Sequence, residues 1–458
     1  MKVPATETPA ASALLTDAAD RAIRYLEEMQ DRSVYPSPEA VRAVEALGGP
    51  MPVEPQDPGK VLAQLDALGS PATVASAGPR YFGFVIGGSL PVAVAANWLA
   101  TAWDQNAGLR IASPVVAYLE EVVLSWLVDL FGLPAGSAGS CVTGDQMAIF
   151  TCLAAARHAV LDRAGWNVES AGLFGAPPIT VVVGEEVHVT VLKALSLLGL
   201  GRDRVQFVPC DSQGRMRADR LPRLGGPAII CTQAGNVNSG SFDPTDEICE
   251  IARAAGAWVH VDAAFGMWAA ATAERKHLTE GISAADSWST DAHKWLNVPY
   301  DSGIALVREP AHLQAAMSIT AHYLNPTAER EPMQWSPEAS RRSRPVDIWA
   351  ALRSLGRQGV DELVTRCCRH ALAFAGGLRA AGYEVLNDVV LNQVLVSFGS
   401  DETTQKVIDE LRADGTCWCG GTVWHGKRAM RISVSSWATT DADVAKSLSA
   451  MLRIAAHR

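Results

Sequence analysis

Residues Ser283 to Gly303 read SAADSWSTDAHKWLNVPYDSG, with Lys294 at their centre between His293 and Trp295. Upstream, an apolar run closes on an acid in His260-Val261-Asp262-Ala263-Ala264-Phe265-Gly266. A strand ending in Asp262 and a second ending close to Lys294 bring both side chains to the carboxyl edge of a parallel sheet, where α/β proteins bind ligands.

The flanking segments fit such a sheet. Apolar runs at Ile179–Val183, Val205–Pro209, Ala228–Thr232, Ala257–Asp262 and Gly303–Val307 alternate with helical patterns. This predicts an α/β fold with a mostly parallel central sheet and helices on both faces. Before it, spacing predicts a helix over Thr16–Met29, a Pro-rich connector over Val34–Lys60, a helix over Gly59–Leu68, and another over Val116–Phe131 capped by Ser113. Gly139 to Ala148, GSCVTGDQMA, reads as a small-residue turn feeding a helix to about Val160. Free amides at such a helix start suit a phosphate, because they have no intrahelical partner. Beyond the charged linker Glu329–Arg344, a long helix from Pro345 to about Ala380 precedes strands Val394–Phe398 and Met430–Val434 and helices Glu402–Leu411 and Asp441 onward. The expected division is an N-terminal segment 1–78, a large domain 79–310, a linker 311–344 and a small C-terminal α+β domain 345–458.

At 458 residues, 48% hydrophobic, with mean hydropathy +0.09, the chain has enough apolar residues for two or three domains with a sizeable core. Its net charge of -10 carries no basic stripe, so the expected partner is a small molecule and not nucleic acid. The opening MKVPATETPAASALL lacks a signal-peptide core, and the apolar run Pro91–Trp103 is interrupted by Asn97 and falls short of the roughly 20 residues of a bilayer span. A soluble, cytoplasmic protein with no membrane partner is expected. Nine cysteines without framework spacing suit reduced thiols. Cys417-Trp418-Cys419 and Cys367-Cys368 are the close pairs, no His cluster completes a zinc site, and no metal is expected.

A buried lysine with an acid fits one cofactor well. Lysine forms a Schiff base with pyridoxal 5'-phosphate (PLP), and a carboxylate beside the pyridine nitrogen keeps that ring protonated as an electron sink. In their order and spacing, His260-Val-Asp-Ala-Ala264, Asp286-Ser287 and His293-Lys294-Trp295 resemble the group II amino-acid decarboxylases, PLP enzymes of fold type I. The similarity runs from Tyr81 to the final helix. It implies the fold-type I PLP-dependent transferase fold, an amino-acid substrate, and a homodimer with its pocket at the subunit interface.

Carried over by that resemblance, Lys294 binds the cofactor and later shuttles protons, Asp262 pairs with the pyridinium nitrogen, Ala264 packs on the ring and His188 stacks on it. Gly144, Asp145 and Gln146 match the phosphate cup, with His293 as a second phosphate contact. Asp145 is a departure, since a carboxylate near a phosphate is repulsive unless only its amide is used. Asn236 and Asn238 fall where the family has threonines near the ring oxygen. Tyr81, Phe82 and Trp103 match the segment that lines the substrate side, and Arg431 stands where related enzymes place an arginine near the substrate carboxylate. Trp98, Trp103, Trp295 and Trp437 together suggest an aromatic pocket.

The family's mobile loop falls within the linker. It carries a tyrosine three residues before a tryptophan, ahead of an Arg-Arg pair, that protonates the carbanion left after CO2 loss. Aligned on Trp335 and Arg341-Arg342, the tyrosine's place is taken by Pro332, leaving His188, Lys294 and Tyr323 as proton sources. Arg341-Arg342 itself reads as a structural ion-pair element. The expected reaction is decarboxylation of an L-amino acid joined to the cofactor as an external aldimine. The alternatives are diversion of the carbanion to oxidative deamination or aldolase-type cleavage, and a non-catalytic PLP-fold ligand-binding protein.

Overall fold

The computed structural model describes residues 11–319 and 329–458. Seven strands form the central sheet: β1 (Ala138–Val142), β2 (Thr180–Gly184), β3 (Gln206–Val208), β4 (Ala228–Gln233), β5 (Trp258–Asp262), β6 (Ser287–Asp291) and β7 (Gly303–Val307), in the order β1-β7-β6-β5-β4-β2-β3. β7 runs antiparallel to both its neighbours, and the pairs from β6 through β3 are parallel. The inner strands β4, β5, β6 and β7 are buried along their length because helices cover both faces. Their side chains still alternate: Ile230, Val259 and Val261 enter one core, whereas Ile229, Cys231 and Trp258 enter the other. Helix Asp145–Asp162 lies across the second face. It is apolar nearly all round and rich in buried alanines, as a helix enclosed by protein must be.

A second sheet, antiparallel, combines β8 (Glu384–Val385), β9 (Gln393–Ser397), β10 (Gly420–Trp424) and β11 (Lys427–Ser433) in the order β10-β11-β9-β8. Helices Asp401–Asp414 and Arg344–Ala380 pack on it, and helix Asp441–Ala456 packs on both of these. The stretch Arg80–Phe82 is stitched to this unit: Phe82 N–H donates to Trp418 O at 2.8 Å, Trp418 N–H to Arg80 O at 3.1 Å and Ser433 N–H to Phe82 O at 2.9 Å. Helix Arg344–Ala380 bridges the two sheets, breaking at Gly356, where φ is 60° and ψ is -177°. Its start packs on helices Pro91–Trp103 and Pro114–Leu130, with Asn97 donating to Asp347 at 2.7 Å. Its end reaches the C-terminal helix through His370 and Asp441, 2.9 Å apart.

Three local expectations change. The stretch Gly139–Ala148 is more than a turn, because Ala138–Val142 is a strand. Ser113 precedes helix Pro114–Leu130, but its buried hydroxyl makes no cap hydrogen bond. The connector Val34–Lys60 holds a short helix, Pro38–Ala43, capped by Ser37 accepting from Ala40 N–H at 3.1 Å.

Candidate active site

β5 and β6 end side by side, with Asp262 registered against Ser289. The chain leaves β6 through Asp291 and turns at once, so Lys294 projects at the sheet's carboxyl edge. Asn297 holds that turn in the left-handed region, φ 56°. Its amide donates to Lys294 O (3.1 Å), Trp295 O (2.9 Å) and Ser435 O (3.0 Å), and its side-chain oxygen accepts from Trp437 N–H (2.8 Å). Gly87 lies so close above the turn that a Cβ there would stand 2.1 Å from Lys294 O, which admits only glycine. The backbone beneath the lysine is thus fixed from both sheets.

Acids surround the ammonium. Lys294 Nζ is 3.1 Å from Asp291 Oδ2, and His293 Nε2 is 3.2 Å from Asp291 Oδ1. The same Oδ1 accepts from Asp145 N–H at 2.7 Å, the first residue of helix Asp145–Asp162. Burial opposes the charge on Lys294, yet Asp291, Asp145 and Asp262 outweigh it and hold the ammonium above the ordinary lysine value. Burial, reinforced by Asp262 and Asp291, pushes the Asp145 carboxyl well above the usual carboxylate range. His293 Nδ1 accepts from Ser302 N–H at 3.0 Å, which leaves its proton on Nε2, facing Asp291.

These groups border a cavity of about 220 Å³ lined by Phe84, Val85, His188, Gln233, Gly235, Val237, Asp262, Ala264, Phe265, Lys294 and Arg431. His188 opens helix Val189–Leu197, its Nδ1 2.7 Å from Thr190 Oγ1. Burial lowers its pKa, which favours a neutral ring at neutral pH. Arg431 donates from Nη1 to Val237 O at 3.1 Å. Gln233 is held by donation to Glu186 O at 2.9 Å.

Of the residues expected from sequence, Lys294, Asp262, Ala264, His188 and Arg431 meet in this cavity, and Gly144, Asp145 and His293 adjoin it through Asp291. Gln146 follows on the same helix, its buried Nε2 without a protein partner. Asn236 and Asn238 do not line it. Asn236 Oδ1 accepts from Asn238 N–H and Ser239 N–H, at 2.9 and 3.1 Å, and Asn238 Oδ1 accepts from Thr422 at 2.9 Å, so Gly235 and Val237 face inward instead.

Phe82 is fully buried against Phe374, with ring centroids 5.0 Å apart, and Phe84, 57% exposed, forms the wall. The exchange follows from backbone at Phe84 and Val85 with φ of 53° and 59°, which sequence does not announce. Tyr81 sits one layer behind, stacked on Trp418 at 4.9 Å, and Phe84 leans on the same indole at 5.3 Å. Trp103 ends its helix 42% exposed, away from the cavity. Trp295 is core, Trp98 is exposed and Trp437 donates to Ser89 O at 2.9 Å, so the expected aromatic pocket does not form from these four. Asp286 and Ser287 serve the fold. Asp286 accepts from Val259 N–H at 2.8 Å, and Ser287 Oγ meets Trp258 Nε1 at 2.9 Å and His260 Nδ1 at 3.0 Å. Tyr323 lies outside the described residues. Asp291 was missed by sequence reasoning, although it stands three residues before Lys294 at the end of the same strand.

Residues 49–399 match the model of the pyridoxal-dependent decarboxylase conserved domain. The chain belongs to that family. Among curated relatives, it is 27% identical over 327 residues to phenylacetaldehyde synthase of Petunia hybrida, covering 67% of this chain and 63% of that protein. It is 30% identical over 309 residues to L-2,4-diaminobutyrate decarboxylase of Rhizobium meliloti (strain 1021), covering 64% and 60%. The matched stretches thus span less than two thirds of either relative's own length. Oryza sativa TDC, solved with PLP and tryptamine, has the same fold, with a TM-score of 0.91 at 21% identity over 100% of this chain and 99% of that one.

The family's cofactor is PLP, and the residues present fit it. The cavity offers a lysine, a carboxylate, a neutral imidazole and the small Ala264. Beside it, donors already converge on an anion, the Asp291 carboxylate. Buried Gln146 Nε2 and Ser302 Oγ, next to the Asp145 amide and His293, have no protein partner, and a polar atom buried in that state calls for a bound group or water.

Proposed function

We propose that this chain is a PLP-dependent carboxy-lyase that releases CO2 from an L-amino acid and returns the amine. The observation that carries the reading is one cavity holding Lys294, Asp262, His188, Ala264 and Arg431. When bound, PLP supplies a protonated ring that draws in the electrons of the bond broken at the substrate α-carbon. Asp262 would keep a proton on the ring nitrogen, Ala264 and His188 would pack on the ring, and Lys294 would hold the cofactor. Gly144, the Asp145 amide, Gln146 and His293 would receive its phosphate. Arg431 would take the substrate carboxylate, since its Nη1 alone is engaged by Val237 O and a guanidinium has further donors to offer.

The proton that replaces CO2 must come from a group with one to give. Pro332 is buried at the start of a 3-10 turn, Pro332–Trp335, and has none. Neutral His188 is a weaker acid than an ammonium beside it would be, and Asp291, Asp145 and Asp262 all favour the ammonium form of Lys294. Lys294 is therefore the donor we assign.

Pro332 also supports a second reading, in which O2 and water are consumed and an aldehyde, CO2, ammonia and hydrogen peroxide are released. The similarity to phenylacetaldehyde synthase points the same way. The substrate class stays at L-amino acids, because the tryptophans expected to mark an aromatic pocket lie elsewhere. A homodimer is part of the proposal. Trp98, Leu99, Trp103, Ile111 and Tyr118 are exposed on and after helix Pro91–Trp103, and an apolar face of this kind marks an interface. The division at 78, 310 and 344 is retained as a proposal. The nine cysteines are unpaired, which supports a reducing, cytoplasmic setting, and no helix among the described residues is long and apolar enough to cross a membrane.

Mass-resolved products from the PLP-loaded protein with a pool of L-amino acids, under air, test the reaction. Amine with CO2 is expected. Aldehyde with peroxide would replace it with the second reading, and consumption without CO2 would overturn both.

A further inference from the structure

The anion at the edge of the cavity is part of the chain itself. Asp291 Oδ1 takes the N–H of Asp145, at 2.7 Å, and faces His293 Nε2, at 3.2 Å, while Oδ2 lies 3.1 Å from Lys294 Nζ. The first of these is a helix-start amide, the donor type that most suits a phosphate. The second has no other task, because His293 Nδ1 is committed to Ser302 N–H. Asp291 is itself buried, and its backbone is pinned on both sides, its N–H donating to Ala264 O at 2.9 Å and its carbonyl accepting from Trp268 Nε1 at 3.1 Å. The room for adjustment is therefore in its side chain. A Cβ on Gly144 would stand 3.6 Å from Asp291 Oδ1 and 3.2 Å from His293 Cε1, so the space around the carboxylate is already closely bounded.

We propose that Asp291 is a resident anion at the phosphate end of the cofactor site, holding the Asp145 amide, His293 and Lys294 in place until the cofactor's phosphate displaces its carboxylate from them. The proposal rests on the PLP reading above. Asp291 acts through the donors it holds and is a positioning residue. A carboxylate and a phosphate within one donor set repel, so loading carries a penalty specific to the phosphate. Pyridoxal has the same ring and aldehyde without the phosphate, and it escapes that penalty. Any effect of Asp291 on the reactivity of Lys294 falls equally on both compounds and cancels in the ratio of their affinities.

Equilibrium binding of PLP and of pyridoxal, followed by cofactor absorbance, is compared for wild type, Asp291→Asn and Asp291→Glu. The neutral variant is expected to raise the affinity for PLP relative to pyridoxal by about tenfold or more, and the charge-conserving variant to keep the wild-type ratio. Asp291→Ser repeats the measurement if the asparagine variant does not fold. An unchanged or lowered ratio in the neutral variants, with both compounds still binding, overturns this role and leaves the cofactor reading intact. Failure of wild type and every variant to bind PLP overturns the cofactor reading and this proposal with it.

Discussion

Two of the buried charge clusters among the described residues are built differently. In the first, Arg341 and Glu120 are each 1% exposed. Arg341 donates to both Glu120 oxygens at 3.0 and 2.5 Å, to Cys141 O at 2.7 Å and to Ala107 O at 3.2 Å, and Glu120 also accepts from Cys141 N–H at 2.8 Å. One cation meets one anion, backbone groups and Ser140 Oγ surround them, and Arg341 Nε alone of the guanidinium nitrogens has no partner. The second cluster gathers Asp145, Asp262 and Asp291 around Lys294, opens on a cavity, and leaves Asp145 Oδ1 without a partner. A matched, closed pair fixes a fold, because breaking it strands a charge. An unmatched, open one stores reactivity in perturbed groups. Of the Arg341-Arg342 pair read from sequence as structural, Arg341 lies in the closed cluster, whereas Arg342 donates to Asn97 Oδ1 at 3.0 Å.

The largest effect that sharpens the contrast is Lys294→Ala, which is expected to reduce turnover of the PLP-loaded protein to background while Arg341→Lys leaves it measurable. His188→Gln, which removes the ring expected to pack on the cofactor, should lower kcat by about a hundredfold, the cost of misplacing a reacting group, with the urea midpoint little changed. In the closed cluster, Arg341→Ala should cost about 3–5 kcal/mol of stability by urea unfolding, the penalty of an uncompensated buried charge. Burial alone would raise the Glu120 pKa, but Arg341 reverses this and lowers it. Its contribution is thus complete above the ordinary glutamate value and lost as pH falls through the lower folded one. Glu120→Gln should remove that acid-side component. A Glu120→Gln protein with the wild-type acid profile would show that the pair is not the fold's anchor.

The same contrast is legible in two neighbouring phenylalanines. Phe82→Ala should cost about 3–5 kcal/mol, as for a large core residue. Phe84→Ala should stay within about 0.5 kcal/mol in stability and raise KM instead. Equal destabilisation by both would place Phe84 in the core as well.

Sequence carried most strands of the large sheet and the lysine–acid pair because burial on both faces writes apolar runs, and because Asp262 ends one strand while Lys294 follows closely on the end of its neighbour. It carried β1 and β10 poorly. Ala138-Gly-Ser-Cys-Val142 and Gly420-Gly-Thr-Val-Trp424 carry glycines, which are depleted in strands, and gain their structure from pairing with β7 and β11. The swap of Phe82 for Phe84, and of Asn236 and Asn238 for Gly235 and Val237, turns on local dihedrals and parity that composition does not encode. Asp291 was visible in the sequence. Its meaning depended on where its carboxylate points, and only the fold shows that.

Lys294 is the residue on which cofactor binding most directly depends. Incubation with PLP, borohydride reduction, digestion and mass analysis of the peptides would locate the covalent adduct. The account predicts a single modified peptide carrying Lys294, absent from Lys294→Ala. A modification on another lysine, or none at all in the folded wild-type protein, would contradict it.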